Sequence, residues 1–103
     1  MKAPIDNLAL SNTIRPGLVG WMKTLAHEVG AQGITVNTIA PGRIDTERLR
    51  SLGGLSDVSQ IPLGRLGDPA GIAAVACFLA SDRAGYVTGA VVPVDGGLTR
   101  NLL

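Results

Sequence analysis

Ile14, Leu18, Met22, Leu25 and Val29 recur at spacings of three and four, which marks one face of an amphipathic helix. The spacing predicts a helix from Ser11 to about Val29, with Ser11 or Asn12 as its cap. Pro16 then falls near the first turn, where a missing N–H costs least; an earlier start would make it a kink. Gly30 and Gly33 supply the stop and the turn. Residues 34–40, ITVNTIA, are β-branched and mostly apolar and predict a buried strand ended by Pro41–Gly42. Residues 43–67 are irregular, with a short helix over Thr46–Leu52 as an option, and a connection of that length is usually functional or mobile. Asp68–Pro69 is a helix-start signal. Ile72, Val75, Ala76, Leu79 and Ala80 carry the helix face to about Ser81. A glycine-containing loop over 83–89 leads to a second strand over 90–95, closed by Gly96–Gly97. Pro93 removes a ladder donor and predicts an edge position for that strand.

The resulting order is helix, strand, long loop, helix, strand, so the fold class is α/β. One strand–helix–strand unit with an added helix exposes more apolar helix surface than two strands can cover. The pattern therefore predicts part of a larger sheet, completed by another chain, a second copy or a longer parent. Composition agrees. The chain has 103 residues, enough for one small domain, and only three aromatic residues, Trp21, Phe78 and Tyr86. A core of Ala, Val, Ile and Leu with 14 glycines suits helices packed closely on a parallel sheet. Net charge is +1 with no long basic run, which argues against nucleic acid or an anionic membrane as partner. No apolar run approaches membrane-spanning length, and the opening MKAPIDN does not read as a signal peptide. One cysteine and one histidine cannot build a metal cluster, so no metal is expected. Cys77, in an apolar stretch, is expected to be a small buried hydrophobe. His27 falls opposite Leu25 and Val29 and is expected to be solvated. A reducing cytoplasm is the expected compartment.

Several stretches together resemble the short-chain dehydrogenase/reductase family. They are Leu18-Val19-Gly20 with Leu25, Ala26 and Glu28; Gly33-Ile34-Thr35-Val36-Asn37; and Ala40-Pro41-Gly42-Arg43-Ile44-Asp45-Thr46. Pro62-Leu63-Gly64-Arg65-Leu66-Gly67-Asp68-Pro69 follows, then Ile72-Ala73, Phe78 to Asp82, Thr88-Gly89 and Val94-Asp95-Gly96-Gly97. The nearest look within the family is to 3-oxoacyl-[acyl-carrier-protein] reductases. The resemblance covers the carboxyl-terminal part only. It implies the carboxyl-terminal half of a Rossmann-type doubly wound parallel sheet, without the amino-terminal dinucleotide-binding half. It implies a parent that reduces a small-molecule carbonyl with NAD or NADP. The chain alone, as a fragment of that parent, is expected to be inactive. A non-catalytic self-associating module and a degenerate enzyme are the alternatives. The family's glycine turn for the pyrophosphate is missing: neither Gly53–Gly54 nor Gly96–Gly97 follows a strand and opens a helix.

The resemblance also assigns residues. The family's catalytic Tyr-x-x-x-Lys precedes the Leu-Val-Gly segment, which puts the tyrosine position at Ser11 and the lysine position at Arg15. An aliphatic hydroxyl is a far weaker acid than a phenol, whose pKa is about 10, and Ser11 is a whole ring shorter. Ser11 is a helix cap or a hydrogen-bonding contact to substrate. Arg15 is a ribose contact, through its fixed planar fork of donors, or a surface ion pair. Tyr86 has Ala90 four residues on and cannot replace the pair. Pro41, Gly42, Ile44 and Thr46 match the family's nicotinamide contacts; the alternative for Thr46 is a helix cap. Asp95 is read as a turn residue. A homo-oligomer is implied through the helix face of Ile14, Leu18, Met22 and Leu25 and through the last strand.

Overall fold

The computed structural model describes residues 9–47 and 57–100, and within 9–15 the backbone only. Helix α1 spans Ala9–Val29 and is followed by a 3₁₀ turn at Gly30–Gln32. Strand β1 spans Thr38–Pro41, helix α2 Pro69–Leu79 and strand β2 Val91–Val94, with a 3₁₀ turn at Asp82–Ala84 ahead of β2. The strands are parallel, with Thr38 opposite Val91 and Pro41 opposite Val94. The expected strand–helix–strand unit is therefore present, with α2 packed on β1.

Local chemistry sets the boundaries. Asp68 caps α2 by accepting the Ala70 N–H at 2.9 Å, and Pro69 fills the first helical position, as the sequence predicts. Gly33 closes the turn after α1 at φ +77° and donates to the Gly30 carbonyl at 2.9 Å. The start of α1 differs from expectation. It begins at Ala9, so Ser11 lies inside the helix rather than at its cap, and Pro16 sits well past the first turn. The first strand is also shorter than the apolar run. Ile34 is exposed, and Val36 and Asn37 are taken up by hydrogen bonds to the segment before β2. Pro41 is the last residue of β1, so the strand ends within the Pro41–Gly42 pair. Helix α2 stops at Leu79, two residues short of Ser81, whose hydroxyl donates to the Phe78 carbonyl. The optional helix over Thr46–Leu52 falls mostly outside the described residues.

Burial is sparse. Among the described residues only Met22, Ala26, Ile61 and Ala84 are buried. Leu18, expected on the packed face of α1, is 54% exposed, and Trp21 beside it is 61% exposed. Helix α2 buries no residue fully; Ile72, Val75 and Leu79 form a half-buried stripe. Cys77 falls off that stripe and is exposed, contrary to the buried position expected for it. His27 is exposed, as expected. Helices of this apolarity with so little to pack on are what an incomplete set of layers looks like. No described helix is long and apolar enough to cross a membrane.

Candidate active-site region

Parallel strands end on the same side, so the carboxyl ends of β1 and β2 bring residues 41–47 and 94–97 together. Gly42 carries the chain out of β1 and donates to the Val94 carbonyl at 3.0 Å. A Cβ at Gly42 would stand 2.6 Å from Asp95 Cβ and 2.8 Å from Asp95 Cα, so only glycine fits against that backbone. Beyond it, Ile44 forms a parallel bridge with Gly67. The Gly67 N–H donates to the Arg43 carbonyl at 2.9 Å, and the Asp45 N–H donates to the Gly67 carbonyl at 2.8 Å.

The 57–67 segment lies against the extensions of both strands. Leu63 N–H donates to the Gly96 carbonyl at 3.1 Å, and Ile61 is buried beneath. Gly96, at φ +64°, has no room for a Cβ: Ile61 Cγ2 would be 2.8 Å away. Arg43 donates through Nη1 to the Asp57 carbonyl at 2.8 Å and ties the start of this segment down. The Ser59 hydroxyl and N–H both donate to the Asp57 carboxylate. Together with the Arg43 guanidinium they outweigh the opposing effect of burial and hold the Asp57 carboxyl below its usual value. Burial pushes the Asp95 carboxyl upward, but the Thr99 side chain and the N–H groups of Gly97, Thr99 and Leu98 outweigh it and leave it below the ordinary range. Asp95 Oδ1 accepts from Gly97 N–H at 2.9 Å and Oδ2 from Thr99 N–H at 3.0 Å. It is a turn residue, as read from the sequence. A small cavity of about 170 Å³ lies here, with Arg43, Ile44, Leu63, Arg65, Asp68 and Asp95 in its wall.

Of the nicotinamide-contact candidates, Pro41 and Thr46 are exposed and Gly42 and Ile44 half-buried, all at this one end of the strand pair. Ser11 and Arg15 lie on α1, four residues apart and so on one helix face. Lys23 Nζ donates to the Gly89 carbonyl at 2.7 Å, before β2. Arg15 and Ser11 are about 12 and 18 Å further along the helix axis from Lys23. Their side chains lie outside the described residues. Tyr86, fully exposed, precedes β2 and so belongs to the opposite end of the strands. Pro41, Gly42, Ile44 and Thr46 stand at the carboxyl ends of the parallel strands, the end at which open α/β sheets take ligands. Among the described residues no strand runs through a glycine turn directly into a helix, so the diphosphate end has no candidate. The described residues also contain no group of three metal-ligating side chains.

A second cluster escaped the sequence reading. At the amino ends of the strands the Asn37 side chain donates to the Val87 carbonyl at 3.0 Å and accepts the Ala90 N–H at 3.1 Å. The Thr88 hydroxyl accepts the Val36 N–H at 3.0 Å, and Gly89 N–H donates to the Val36 carbonyl at 2.7 Å. Asn37 and Thr88-Gly89 were among the residues carrying the family resemblance. Their signal was visible, but a single chain does not say that they bond to each other.

A parallel α/β unit whose candidate ligand residues gather at the carboxyl ends of its strands defines a Rossmann-type nucleotide-binding class. The comparisons with known proteins make this specific: the chain belongs to the short-chain dehydrogenase/reductase family. A family pattern described as "Enoyl-(Acyl carrier protein) reductase" matches residues 2–99. The 3-oxoacyl-[acyl-carrier-protein] reductase FabG of Pseudomonas aeruginosa is 54% identical over 87 residues, covering 82% of this chain and 35% of that protein. The Escherichia coli reductase of the same name is 46% identical over 87 residues, covering 82% of this chain and 36% of that protein. The chain thus spans about a third of the length of these relatives. Among solved structures, YwfH, an NADPH-dependent reductase involved in bacilysin biosynthesis, superposes with a TM-score of 0.90 at 29% identity, covering 96% of this chain and 43% of YwfH. An NADPH-bound short-chain oxidoreductase from Pseudomonas aeruginosa PAO1, containing an atypical catalytic center, superposes with a TM-score of 0.85 at 31% identity. That match covers 95% of this chain and 42% of the neighbour.

Proposed function

We propose that this chain is the carboxyl-terminal part of an NADP-dependent reductase of 3-oxoacyl or similar small carbonyl compounds. The observation that carries this reading is the gathering of Pro41, Gly42, Ile44 and Thr46 at the carboxyl ends of two parallel strands. Open α/β sheets take their ligands there. In this reading those four residues face the nicotinamide carboxamide, and Arg15 holds the nicotinamide ribose. Ser11 stands where a proton donor to the carbonyl oxygen is needed as hydride reaches the carbonyl carbon. NADP over NAD is supported by the NADPH-dependent and NADPH-bound neighbours. The dinucleotide-binding half belongs to the remainder of the parent, so the chain alone transfers no hydride. The exposed Leu18 and Trp21 on α1 support a homo-oligomeric parent. The parent is a cytoplasmic protein in this reading.

The neighbour with an atypical catalytic center supports Ser11 and Arg15 as a working variant of the catalytic pair; the second reading is a degenerate enzyme, because an aliphatic hydroxyl is a far weaker acid than a phenol. One experiment separates the two. The chain is joined behind the amino-terminal part of the Pseudomonas aeruginosa FabG relative, and NADPH oxidation is followed with a panel of 3-oxoacyl thioesters and ketones. Under the first reading the joined protein oxidises NADPH with Ser11 and Arg15 in place. Under the second it binds NADPH without turnover, and Ser11→Tyr with Arg15→Lys brings measurable reduction. Hydride transfer by the 103-residue chain alone contradicts both.

A further inference from the structure

Gly67 differs from the other close-packed glycines near the carboxyl ends of the strands. Gly96 sits at φ +64°, where a side chain is disfavoured by conformation as well as by space. Gly67 is not among the positive-φ glycines, so its backbone angle does not call for glycine and only space does. One neighbour takes that space. A Cβ at residue 67 would stand 2.7 Å from Ile44 Cδ1, with the Arg43 carbonyl oxygen next at 3.7 Å. The backbone ties the same two segments together. Gly67 makes both bonds of the bridge, donating to the Arg43 carbonyl at 2.9 Å and accepting from the Asp45 N–H at 2.8 Å. In a parallel pair the residue between two such partners turns its own N–H and carbonyl to the other side. Ile44 is thus held by its side chain and by both flanking residues, with its own peptide groups turned away from residue 67. Gly67 directly precedes Asp68, the cap of α2, so Ile44 is seated against the start of a helix.

We propose that Gly67 is a positioning residue: its missing Cβ seats the Ile44 side chain against the start of α2 and so sets where Ile44 stands at the nicotinamide end. This rests on the functional reading, in which Ile44 faces the nicotinamide carboxamide. Gly67 acts through Ile44 and touches no ligand itself. Ile44 is β-branched, so rotation about its first side-chain bond is restricted. A single methyl group at residue 67 therefore displaces mainly the tip of Ile44, and the cavity of about 170 Å³ that Ile44 lines gives the tip room. A branched side chain at residue 67 fills more of that room, and the bridge between the two segments has to open.

The test has two parts. In the 103-residue chain, Gly67→Val is expected to speed exchange of the Asp45 amide about tenfold by opening the bridge. The Gly42 amide, bonded to Val94, is expected to keep its rate. Ile44→Ala removes the side chain that meets residue 67; in that background Gly67→Val is expected to change the Asp45 rate by less than about twofold. The second part uses the chain joined behind the amino-terminal part of the Pseudomonas aeruginosa FabG relative. There Gly67→Val is expected to raise the Kd for NADPH about tenfold, through loss of a well-placed contact. The Kd for 2′-phospho-ADP-ribose, which lacks the nicotinamide, is expected to stay the same. Gly67→Ala is expected to show the same pattern at about twofold, and it carries the test if valine prevents folding. An Asp45 rate that Gly67→Val leaves alone, an effect that persists in the Ile44→Ala background, or equal weakening of both ligands overturns the proposal. The Ile44 amide shift on adding NADPH to the unaltered joined protein decides the functional reading separately. With that shift present, an unchanged NADPH Kd in Gly67→Val removes the proposal alone; without it, the reading and the proposal fall together.

Discussion

At the amino ends of β1 and β2 the chain is tied by side chains, whereas at the carboxyl ends it is tied by backbone bonds and glycine contacts. Below, the Asn37 amide, the Thr88 hydroxyl and the Lys23 ammonium each take a backbone partner. Above, Gly42 sits on Asp95 and Gly96 on Ile61 at separations that exclude a Cβ, and Gly67 lies against the end of the Ile44 side chain. The lower cluster spends its polar side chains on holding the strands in register. The upper cluster closes on backbone bonds and glycine contacts, with the Arg43 and Asp95 side chains bonded to backbone groups, and Pro41 and Thr46 stay at the surface. Both clusters belong to one family pattern, yet one holds the strands in register and the other is where we propose that a ligand is met.

The contrast can be broken at either end. The largest effect is expected from Gly42→Ala. Its Cβ meets the backbone of Asp95, which cannot yield as a flexible side chain would. A loss of about 3 kcal/mol is expected in urea unfolding; unchanged stability would show that the upper packing is loose. Asn37→Ala is next. It leaves the Val87 carbonyl and the Ala90 N–H without their partner in a half-buried place, for a loss of about 2 kcal/mol. The same variant should leave the amide signals of Gly42 and Ile44 in place, because the damage is at the other end.

The smallest effect concerns pH. The Asp95 and Asp57 carboxyls are held below the ordinary aspartate value in the folded chain by the hydrogen bonds they accept. A carboxyl whose folded value is depressed stabilises the fold above its unfolded value and loses that contribution as pH falls through the folded one. Stability is therefore expected to decline from about pH 4 downward. Asp95→Asn should flatten that decline and cost less than about 1 kcal/mol at pH 7, because the group is largely solvent-screened. A variant with an unchanged acid limb would remove Asp95 from the upper cluster's electrostatics.

Sequence pattern made the α/β order and the Asp68–Pro69 helix start legible, because each depends on local chemistry. The depth of burial was not legible. Leu18 and Cys77 were read as packed from their apolar neighbourhoods, and both are exposed, because periodicity marks a face without saying what lies against it. The strand start was misjudged for a related reason: Val36 and Asn37 have strand-forming neighbours, but their bonds go to residues 52 and 53 positions away. For the candidate site, Pro41, Gly42, Ile44 and Thr46 were found from motif order, and their common location at one end of the strand pair came from the fold. The close approach of Asp95 to Gly42 was out of reach of spacing arguments, since the two are far apart in the chain.

The central claim is that residues 41–46 form the nicotinamide end of a cofactor site completed by the rest of a reductase domain. Amide chemical shifts recorded during NADPH titration test it most directly, with the chain alone and with the chain joined behind the amino-terminal part of its Pseudomonas aeruginosa relative. The account predicts no shift changes in the chain alone, and saturable changes centred on Gly42, Ile44 and Thr46 in the joined protein. Saturable binding to the joined protein that leaves those three amides unmoved would contradict it.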